Sequence, residues 1–522
     1  MTSELRFVVA TRFYCSPWKR EKFWLIDRNG ITDKAFSFYQ KSCVCDKCNR
    51  NDTLEFAPIY KGQSLEVVVN EVMDEHRNQV EKKNERKILP LIEVATEDIM
   101  KEYNFITIEE TSEIWYYDNG VYVRGGEIVI AKEAEAIFGY DLSKSNIGEI
   151  VAHIMRRTYR KHEELDADTN IVNVRNGLYD IDSDVLLPHT PSYLSINQKP
   201  IIYVKGAKTK RFWQFLKEVL YPRDIRSATA AMAYTFHRDY IVEVIFILHG
   251  LGANGKTVYT SIITSLHGPE NVSIVPLSDM LKDTFALSDL ENKDVNIDNE
   301  LAGQTVKETA VLKRLTGGSR QRIRIQRKNQ RAYDTILYAK LFFSANKIPE
   351  SQDTSNAYNR RIIIISFPNT FEKSTEDKQL TAKLTTDEEI SGIFNVLMAE
   401  LRRIRHTKEL YVNEKTIEEK RIKYERTVNP IGSFLYEAVS EYSIESNSIF
   451  KQTFYVAYQT YCKKYMLPPE KFDNFCKILK NRFQFDDRER RGIDKDGKRV
   501  RVWSGILLTQ EYSPKTEQTT II

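Results

Sequence analysis

The chain has 522 residues, of which 41% are hydrophobic and 29% are charged, and its formal net charge is +4. That length exceeds what one hydrophobic core supports, so several domains are expected, and the composition excludes a wholly disordered chain. The small net charge excludes a protein that coats nucleic acid through uniform basicity. Any nucleic-acid contact must therefore come from local basic patches.

Hydrophobic patterning gives no sign of a membrane segment. The stretch Met1–Arg12 lacks the basic and apolar sections of a signal peptide. No apolar run approaches the roughly 18 residues that cross a bilayer. The sequence therefore predicts an intracellular protein without membrane contact.

Residues 1–105 are interpreted as an N-terminal region of unknown role that contains a cysteine knot, Cys43, Cys45 and Cys48. These thiols could hold zinc if Cys15 or His76 supplied a fourth ligand. The spacing has no matching downstream pair, so plain surface thiols are the alternative. An intracellular chain makes a disulfide framework the less favoured use of these cysteines.

Residues 106–212 are predicted to form an α+β domain. Aromatic, β-rich segments surround Asp118-Asn119-Gly120, which is a strong hairpin signal, and the strand–turn–strand pattern repeats around Asn176-Gly177.

Residues 213–427 show an α/β pattern, with short apolar strands at 244–248, 294–297, 339–345 and 361–367. Buried strands that alternate with helices indicate a mostly parallel sheet. Residues 428–512 predict helices over 431–442, 450–465 and 469–480, followed by two strands that meet at Asp496-Gly497. That order is typical of a winged helix. Residues 513–522 are a polar tail.

The strongest motif is GLGANGKT, a full G-x4-G-K-[ST] pattern that follows an apolar strand and precedes a helix. The glycines let backbone amides point at phosphate oxygens, Lys256 neutralises phosphate charge and the Thr257 hydroxyl binds Mg²⁺. The pattern predicts an ATP site made by Gly250, Leu251, Gly252, Ala253, Asn254, Gly255, Lys256 and Thr257.

Polar residues follow the next two strands. Asp298 and Glu300 come at the end of one strand and Asn346 at the end of another, where ligands bind in open α/β sheets. We expect Asp298 to support Mg²⁺, Glu300 to act as general base, and Asn346 to orient water or sense the γ-phosphate. A solvated acidic turn and an ordinary capping asparagine are the alternatives.

Residues 320–331 contain six basic residues and none that is acidic, and Arg322 and Arg324 alternate with isoleucines as on a strand with one charged face. A hairpin turning near Lys328 would grip a phosphate backbone, with Arg322, Arg324, Arg327 and Lys328 as DNA-binding candidates. A solvated edge strand is the alternative. Arg360 and Arg361 precede the last apolar strand; they either stabilise phosphoryl charge or are surface arginines.

These motifs, in the order GLGANGKT, NIDNEL, LKRLTGGS, KLFFSANKIPE and NRRIIIISF, resemble those of superfamily 3 helicases, and specifically the phage/plasmid and poxvirus-type primase-helicase branch. The upstream segments IWYYDNGVYVRGGE and NVRNGLYDIDSDVLLPHTPSYLSINQKP resemble the domain that precedes the ATPase in that branch. The end of the chain resembles its winged helix. The resemblance covers roughly residues 107–508 and implies a multidomain α/β protein with an AAA+-like P-loop ATPase core.

The resemblance also implies a ring, usually a hexamer, that hydrolyses ATP at subunit interfaces and moves 3′ to 5′ on single-stranded DNA. Lys256 and Thr257 look like the Walker A pair, and Asp298 and Glu300 like the Walker B acids. Asn346 looks like the sensor. Arg360 or Arg361 would be the arginine finger, and Lys328 the residue that tracks DNA.

Two departures stand out. The family commonly has Gly-Gly-Asp where this chain has Gly317-Gly318-Ser319. Residues 1–100 also lack the paired aspartates and histidine of a primase domain, so we expect no primase activity.

The leading hypothesis is a replicative DNA helicase of a virus, plasmid or integrated element, acting on single-stranded and forked DNA with ATP and Mg²⁺. It would be a homohexamer that works with a separate primase or polymerase, in the host cytoplasm or at the element's site of replication. An origin-melting initiator without processive unwinding and an ATP-regulated replisome scaffold are the alternatives.

Overall fold

This computed structural model describes residues 91–139, 143–283, 285–301, 309–328, 331–351, 353, 355–372, 377–441, 448–485, 489–493 and 499–513, together with short strands before residue 60. The chain divides into two compact units, Met1–Glu102 with Ile130–Ile154 and Tyr103–Val129 with Met155–Ile522. The proposed zinc ligands Cys15, Cys43, Cys45, Cys48 and His76 and most of the tail lie outside the described residues.

The N-terminal unit contains an antiparallel sheet in the order β3-β2-β1-β5, with β4 paired to β2. Its strands are β1 (Leu5–Ala10), β2 (Lys22–Asp27), β3 (Gly30–Ile31), β4 (Phe36–Ser37) and β5 (Leu54–Ile59). The helical residues are α1 (91–102), most of α2 (Gly126–Phe138) and most of α3 (Lys144–Arg157).

The second unit begins with two small sheets, which confirm both predicted hairpins. Asn119 and Gly120 adopt φ of +46° and +92°, the left-handed turn that the Asn-Gly pair favours. One sheet has the order β8-β7-β6-β9 and the other β10-β11-β12. Their strands are β6 (Phe105–Ile108), β7 (Ile114–Asp118), β8 (Val121–Arg124), β9 (Tyr159–Arg160), β10 (Ile171–Val174), β11 (Gly177–Asp180) and β12 (Val185–Leu187).

The centre of this unit is the predicted parallel sheet. Its strand order is β14-β15-β18-β13-β19, formed by β13 (Ile245–His249), β14 (Val272–Ser273), β15 (Val295–Asp298), β18 (Lys340–Ala345) and β19 (Ile362–Ser366). The antiparallel hairpin β16 (Ile323–Ile325) and β17 (Tyr333–Thr335) lies between β15 and β18 in the chain.

Helices cover both faces of the sheet, and the side chains of successive strand residues pack alternately against the helices of one face and of the other. The helices are α4 (Arg211–Val219), α5 (Asp224–Tyr234), α6 (Lys256–His267), α7 (Leu277–Lys282), α8 (Ala310–Leu315), α9 (Asn356–Asn359), α10 (Leu380–Leu384), α11 (Asp387–Thr407) and α12 (Ile417–Val428). Phe246 and Leu248 pack with α5, α6 and α11, whereas Ile245 and Ile247 pack with α7, α8 and β16.

The C-terminal part is helical with short antiparallel strands. Its elements are α13 (Pro430–Ala438), β20 (Val439–Glu441), β21 (Ser448–Phe450), α14 (Lys451–Tyr465), α15 (Phe472–Phe483), β22 (Glu489–Ile493), β23 (Arg499–Ser504) and β24 (Leu507–Leu508). The first predicted helix extends too far, because Val439 leaves the helix and pairs with Leu508. The helix predicted over 469–480 is α15, which begins at Phe472, three residues later than predicted. No described helix has both the length and the apolar character that a membrane crossing needs.

Candidate functional site

The glycine loop joins the end of β13 to the start of α6, and its backbone adopts left-handed conformations. Gly252 and Gly255 have φ of +103° and +89°. An added Cβ on Gly255 would lie 2.6 Å from Val219 Cγ1, and one on Gly250 would lie 2.0 Å from Asn254 Nδ2. Only glycine therefore fits at Gly250 and Gly255 without displacing neighbours.

Lys256 points back into this loop. Its Nζ donates to the Gly250 carbonyl (2.6 Å) and to Asn346 Oδ1 (3.1 Å). The side chain is buried, and burial lowers the pKa of Lys256 to about 8. Both partners are uncharged oxygens, and no carboxylate in the described part of the chain pairs with this ammonium, so a bound anion would supply the counter-charge.

The topology explains the contact between Lys256 and Asn346. β18 lies between β13 and β15, so the residue that follows β18 emerges beside the glycine loop. Asn346 is exposed there. Glu300 is also exposed and follows β15, which is two strands from β13, so it lies roughly 10 Å from the glycine loop by ordinary strand spacing. The sheet thus brings the glycine loop, Asn346 and the acidic turn at Asp298–Glu300 together at the carboxyl ends of its strands.

Asp298, which we expect to support Mg²⁺, forms its hydrogen bonds on the α7 side of the sheet. Its carboxylate accepts from the backbone N–H groups of Leu277 and Glu300, each at 3.1 Å, and Leu277 begins α7 on the face opposite α6. Asn299 contacts α6, where Thr260 Oγ1 donates to its Oδ1 (3.3 Å). Sequence reasoning missed Asn299 and Thr260, although strand alternation would have placed residues 297 and 299 on the α6 face.

The two predicted arginines lie at the other end of the sheet. Arg360 and Arg361 precede β19, which runs parallel to β13, so they stand a strand length from the loop that follows β13. Arg361 is buried and donates to Thr316 Oγ1 (2.9 Å) and to Glu243 (2.6 Å). Arg360 is exposed and also pairs with Glu243 (2.5 Å). The structure brings them together with each other but not with their own loop.

The basic stretch forms the predicted hairpin, with Ile323 and Ile325 buried and Arg324 exposed between them. Lys328 is exposed near the turn, and the next two residues lie outside the described part. Arg322 pairs with Glu163, and both side chains are exposed, so that ion pair is worth only about 0–1 kcal/mol.

Arg327 has a different setting. Its guanidinium donates to Glu291 (2.7 Å), which also accepts from Tyr333 Oη (2.6 Å) on the other arm of the hairpin. Glu291 is only 5% exposed, so removing Arg327 would leave a buried carboxylate poorly compensated. Arg327 therefore anchors the hairpin.

The Gly-Gly-Ser departure has a local explanation. Ser319 donates to the Asp239 carboxylate through its N–H (2.7 Å) and its hydroxyl (2.8 Å). Burial alone would raise the pKa of Asp239, but these hydrogen bonds hold it below its usual value. An aspartate at position 319 would place a second carboxylate against the first.

Ser319→Asp should consequently destabilise the protein by about 1–3 kcal/mol, because two carboxylates would face each other where a hydroxyl now donates. Thermal unfolding at neutral pH checks this. Adding Asp239→Asn should recover most of the loss. An unfolding temperature equal to that of the wild type in the single variant would contradict this account of Ser319.

Two family models match parts of the chain. Residues 74–221 match the family described as D5 N terminal like, and residues 248–361 match a family of unknown function, DUF5906. The second match spans the glycine loop, the acidic turn, Asn346 and the two arginines.

The chain is also 25% identical over 237 residues to a protein of Invertebrate iridescent virus 6 described as "Putative helicase 184R". The match covers 42% of this chain and 24% of the viral protein, so the chain matches about a quarter of that relative's length. Two apo structures of the NrS-1 C terminal region align with 80% of this chain and 98% of their own, with TM-scores of 0.39 and 0.40 and identities of 11% and 12%. The D5 N terminal like match and the viral relative support a relationship with the D5-type primase-helicase family.

Proposed function

We propose that this chain is a superfamily 3 replicative DNA helicase of a virus, plasmid or integrated element, which hydrolyses ATP while moving on one DNA strand as a ring. The observation that carries the proposal is the hydrogen bond between Lys256 Nζ and Asn346 Oδ1 (3.1 Å). It joins the glycine loop to a polar residue 90 positions away in the chain. Such a pair can hold a γ-phosphate from two sides.

The loop suits a triphosphate. An added Cβ on Gly252 would meet no atom of the described residues within 4 Å, so among them there is open space beside a left-handed backbone of the kind that cradles phosphates. The N-terminus of α6, 12 residues long, adds its positive dipole end.

Hard oxygen donors at the same edge suit Mg²⁺, which would neutralise phosphate charge when bound. Thr257 is exposed at the start of α6 and its hydroxyl would bind the ion. Mg²⁺ keeps several waters, so Asp298 would act through water from its position by α7, with Asn299 nearer to α6. Glu300 would take the proton of the attacking water.

The position of the arginines supports catalysis between copies. Arg360 is exposed and precedes β19, whereas its own loop follows the neighbouring parallel strand β13, so the two lie at opposite ends of the strands. Arg360 can therefore serve only a neighbouring copy's triphosphate. Arg361 is buried against Thr316 and Glu243 and is a structural residue in this proposal. Head-to-tail contacts form a ring when the rotation between copies closes on itself, and we propose that this chain forms a homohexamer of that kind.

The hairpin would contact DNA. Arg324 and Lys328 are exposed, Arg322 can exchange a weak ion pair for a phosphate, and Arg327 holds the hairpin in place. The C-terminal helices with the β21-β23-β22 sheet would form the winged helix. A separate primase or polymerase is the proposed partner, at the element's site of replication in the host cell.

Lys328→Ala should reduce the stimulation of ATP hydrolysis by single-stranded DNA several-fold and make DNA binding less dependent on salt, because one phosphate contact per copy is lost. The ratio of rates with and without DNA, measured over a salt series, checks this. Lys101→Ala, on an α1 lysine with 70% side-chain exposure, is the matched control. Equal stimulation in both variants would argue against a DNA-contacting hairpin.

A further inference from the structure

Glu243 binds both arginines that precede β19. One carboxylate oxygen, Oε2, lies 2.5 Å from an Arg360 nitrogen and 2.6 Å from an Arg361 nitrogen. We infer that Glu243 is a positioning residue that holds Arg360 in place for the triphosphate of a neighbouring copy. This inference rests on the proposed function.

The two arginines are held very differently. Arg361 is 6% exposed, and its guanidinium also donates to Thr316 Oγ1 and to the Ala357 carbonyl. The side chain of Arg360 is 48% exposed. The side chain of Arg361 is therefore held in one position, whereas the side chain of Arg360 can change its conformation.

The backbone of Arg360 is anchored independently of its side chain. Its N–H donates to the Asn356 carbonyl (3.0 Å), and its own carbonyl accepts from Lys420 Nζ (3.0 Å) on α12. The long, flexible side chain would otherwise let the guanidinium occupy many positions. In the described part of the chain, the contact with Glu243 is what restricts it.

The charges make this restraint reversible. Glu243 carries one negative charge and has two positive partners. When Arg360 swings to a phosphate, Glu243 stays neutralised by Arg361, and no buried charge is left unpaired. The exposed Arg360–Glu243 pair is the weaker of the two contacts because water competes for it.

Glu243 also lies two residues before β13, whose other end leads into the chain's own glycine loop. One strand therefore connects the residue that holds Arg360 with the loop that holds this copy's nucleotide. The residue that positions the Arg360 side chain and the glycine loop are thus attached to opposite ends of the same strand, β13.

A double-mutant cycle tests the inference on the full chain with ATP and single-stranded DNA. Glu243→Gln should lower kcat about tenfold while KM for ATP changes less than about twofold, because misplacing a group that acts on the transition state costs rate more than binding. In an Arg360→Ala background, the same substitution should change kcat by less than about twofold.

A structural role would give a different pattern. If Glu243 served only to stabilise Arg361, Glu243→Gln would lower kcat equally with and without Arg360, and this outcome overturns the inference. An unchanged or increased kcat in the single variant overturns it as well. Glu511→Gln, which removes an exposed ion pair with Lys464, controls for loss of a surface carboxylate. A wild-type chain without Lys256-dependent turnover would refute the proposed function itself, which is a separate result.

Discussion

Lys256→Ala should abolish measurable ATP hydrolysis, with a fall in kcat of at least about 10²–10³-fold. In the structure, the ammonium lies inside the loop against the Gly250 carbonyl and Asn346. Alanine would leave the phosphate charge unopposed at this point and would also release the Asn346 side chain. A steady-state assay with single-stranded DNA present measures the effect.

The same variant should keep its fold. Burial lowers the pKa of Lys256, which means that its charged form is disfavoured where it stands, so removing it relieves a cost. We expect the unfolding temperature to stay equal to that of the wild type or to rise slightly. Residual turnover above a tenth of the wild-type rate in a folded variant would contradict the assignment of the loop.

Arg360→Ala should lower ATP turnover by about 10³-fold or more, which is the usual contribution of an arginine supplied to a phosphoryl transition state. In the proposed ring, Arg360 lies away from its own loop, so its loss should damage a neighbour's site. Mixing Arg360→Ala copies with Lys256→Ala copies should therefore restore activity, since a site is complete wherever an intact loop meets an intact Arg360.

In an equal, random mixture, half of the copies have the loop and half of their neighbours supply the arginine. The mixture should reach about a quarter of the wild-type rate per copy. Size-exclusion chromatography of the mixture confirms that copies exchange. A co-assembled mixture no more active than its components would show that Arg360 does not act between copies.

Much of the fold followed from the sequence because its signals are local. Glycine, lysine and threonine after an apolar strand predicted the loop before α6. The Asn119-Gly120 turn and the alternation of Arg324 with two isoleucines predicted hairpins that the structure contains. The parallel sheet followed from short buried strands between helices.

What the sequence did not predict depends on contacts between distant residues. Asp239 explains Ser319 from 80 positions away, and Glu243 binds Arg360 across 117. The orientation of Asp298 toward α7 depends on where the strand ends, and strand ends are the least certain part of a pattern. Arg327 is basic like its neighbours in the chain, but its partner Glu291 is 36 residues earlier.

Strand displacement from a forked DNA duplex tests the central claim most directly, because it requires nucleotide hydrolysis and movement on DNA together. With ATP and Mg²⁺, the wild-type chain should release the displaced strand, and Lys256→Ala should not. A wild-type chain that hydrolyses ATP but leaves the fork intact would contradict the account. So would unwinding that survives the loss of Lys256.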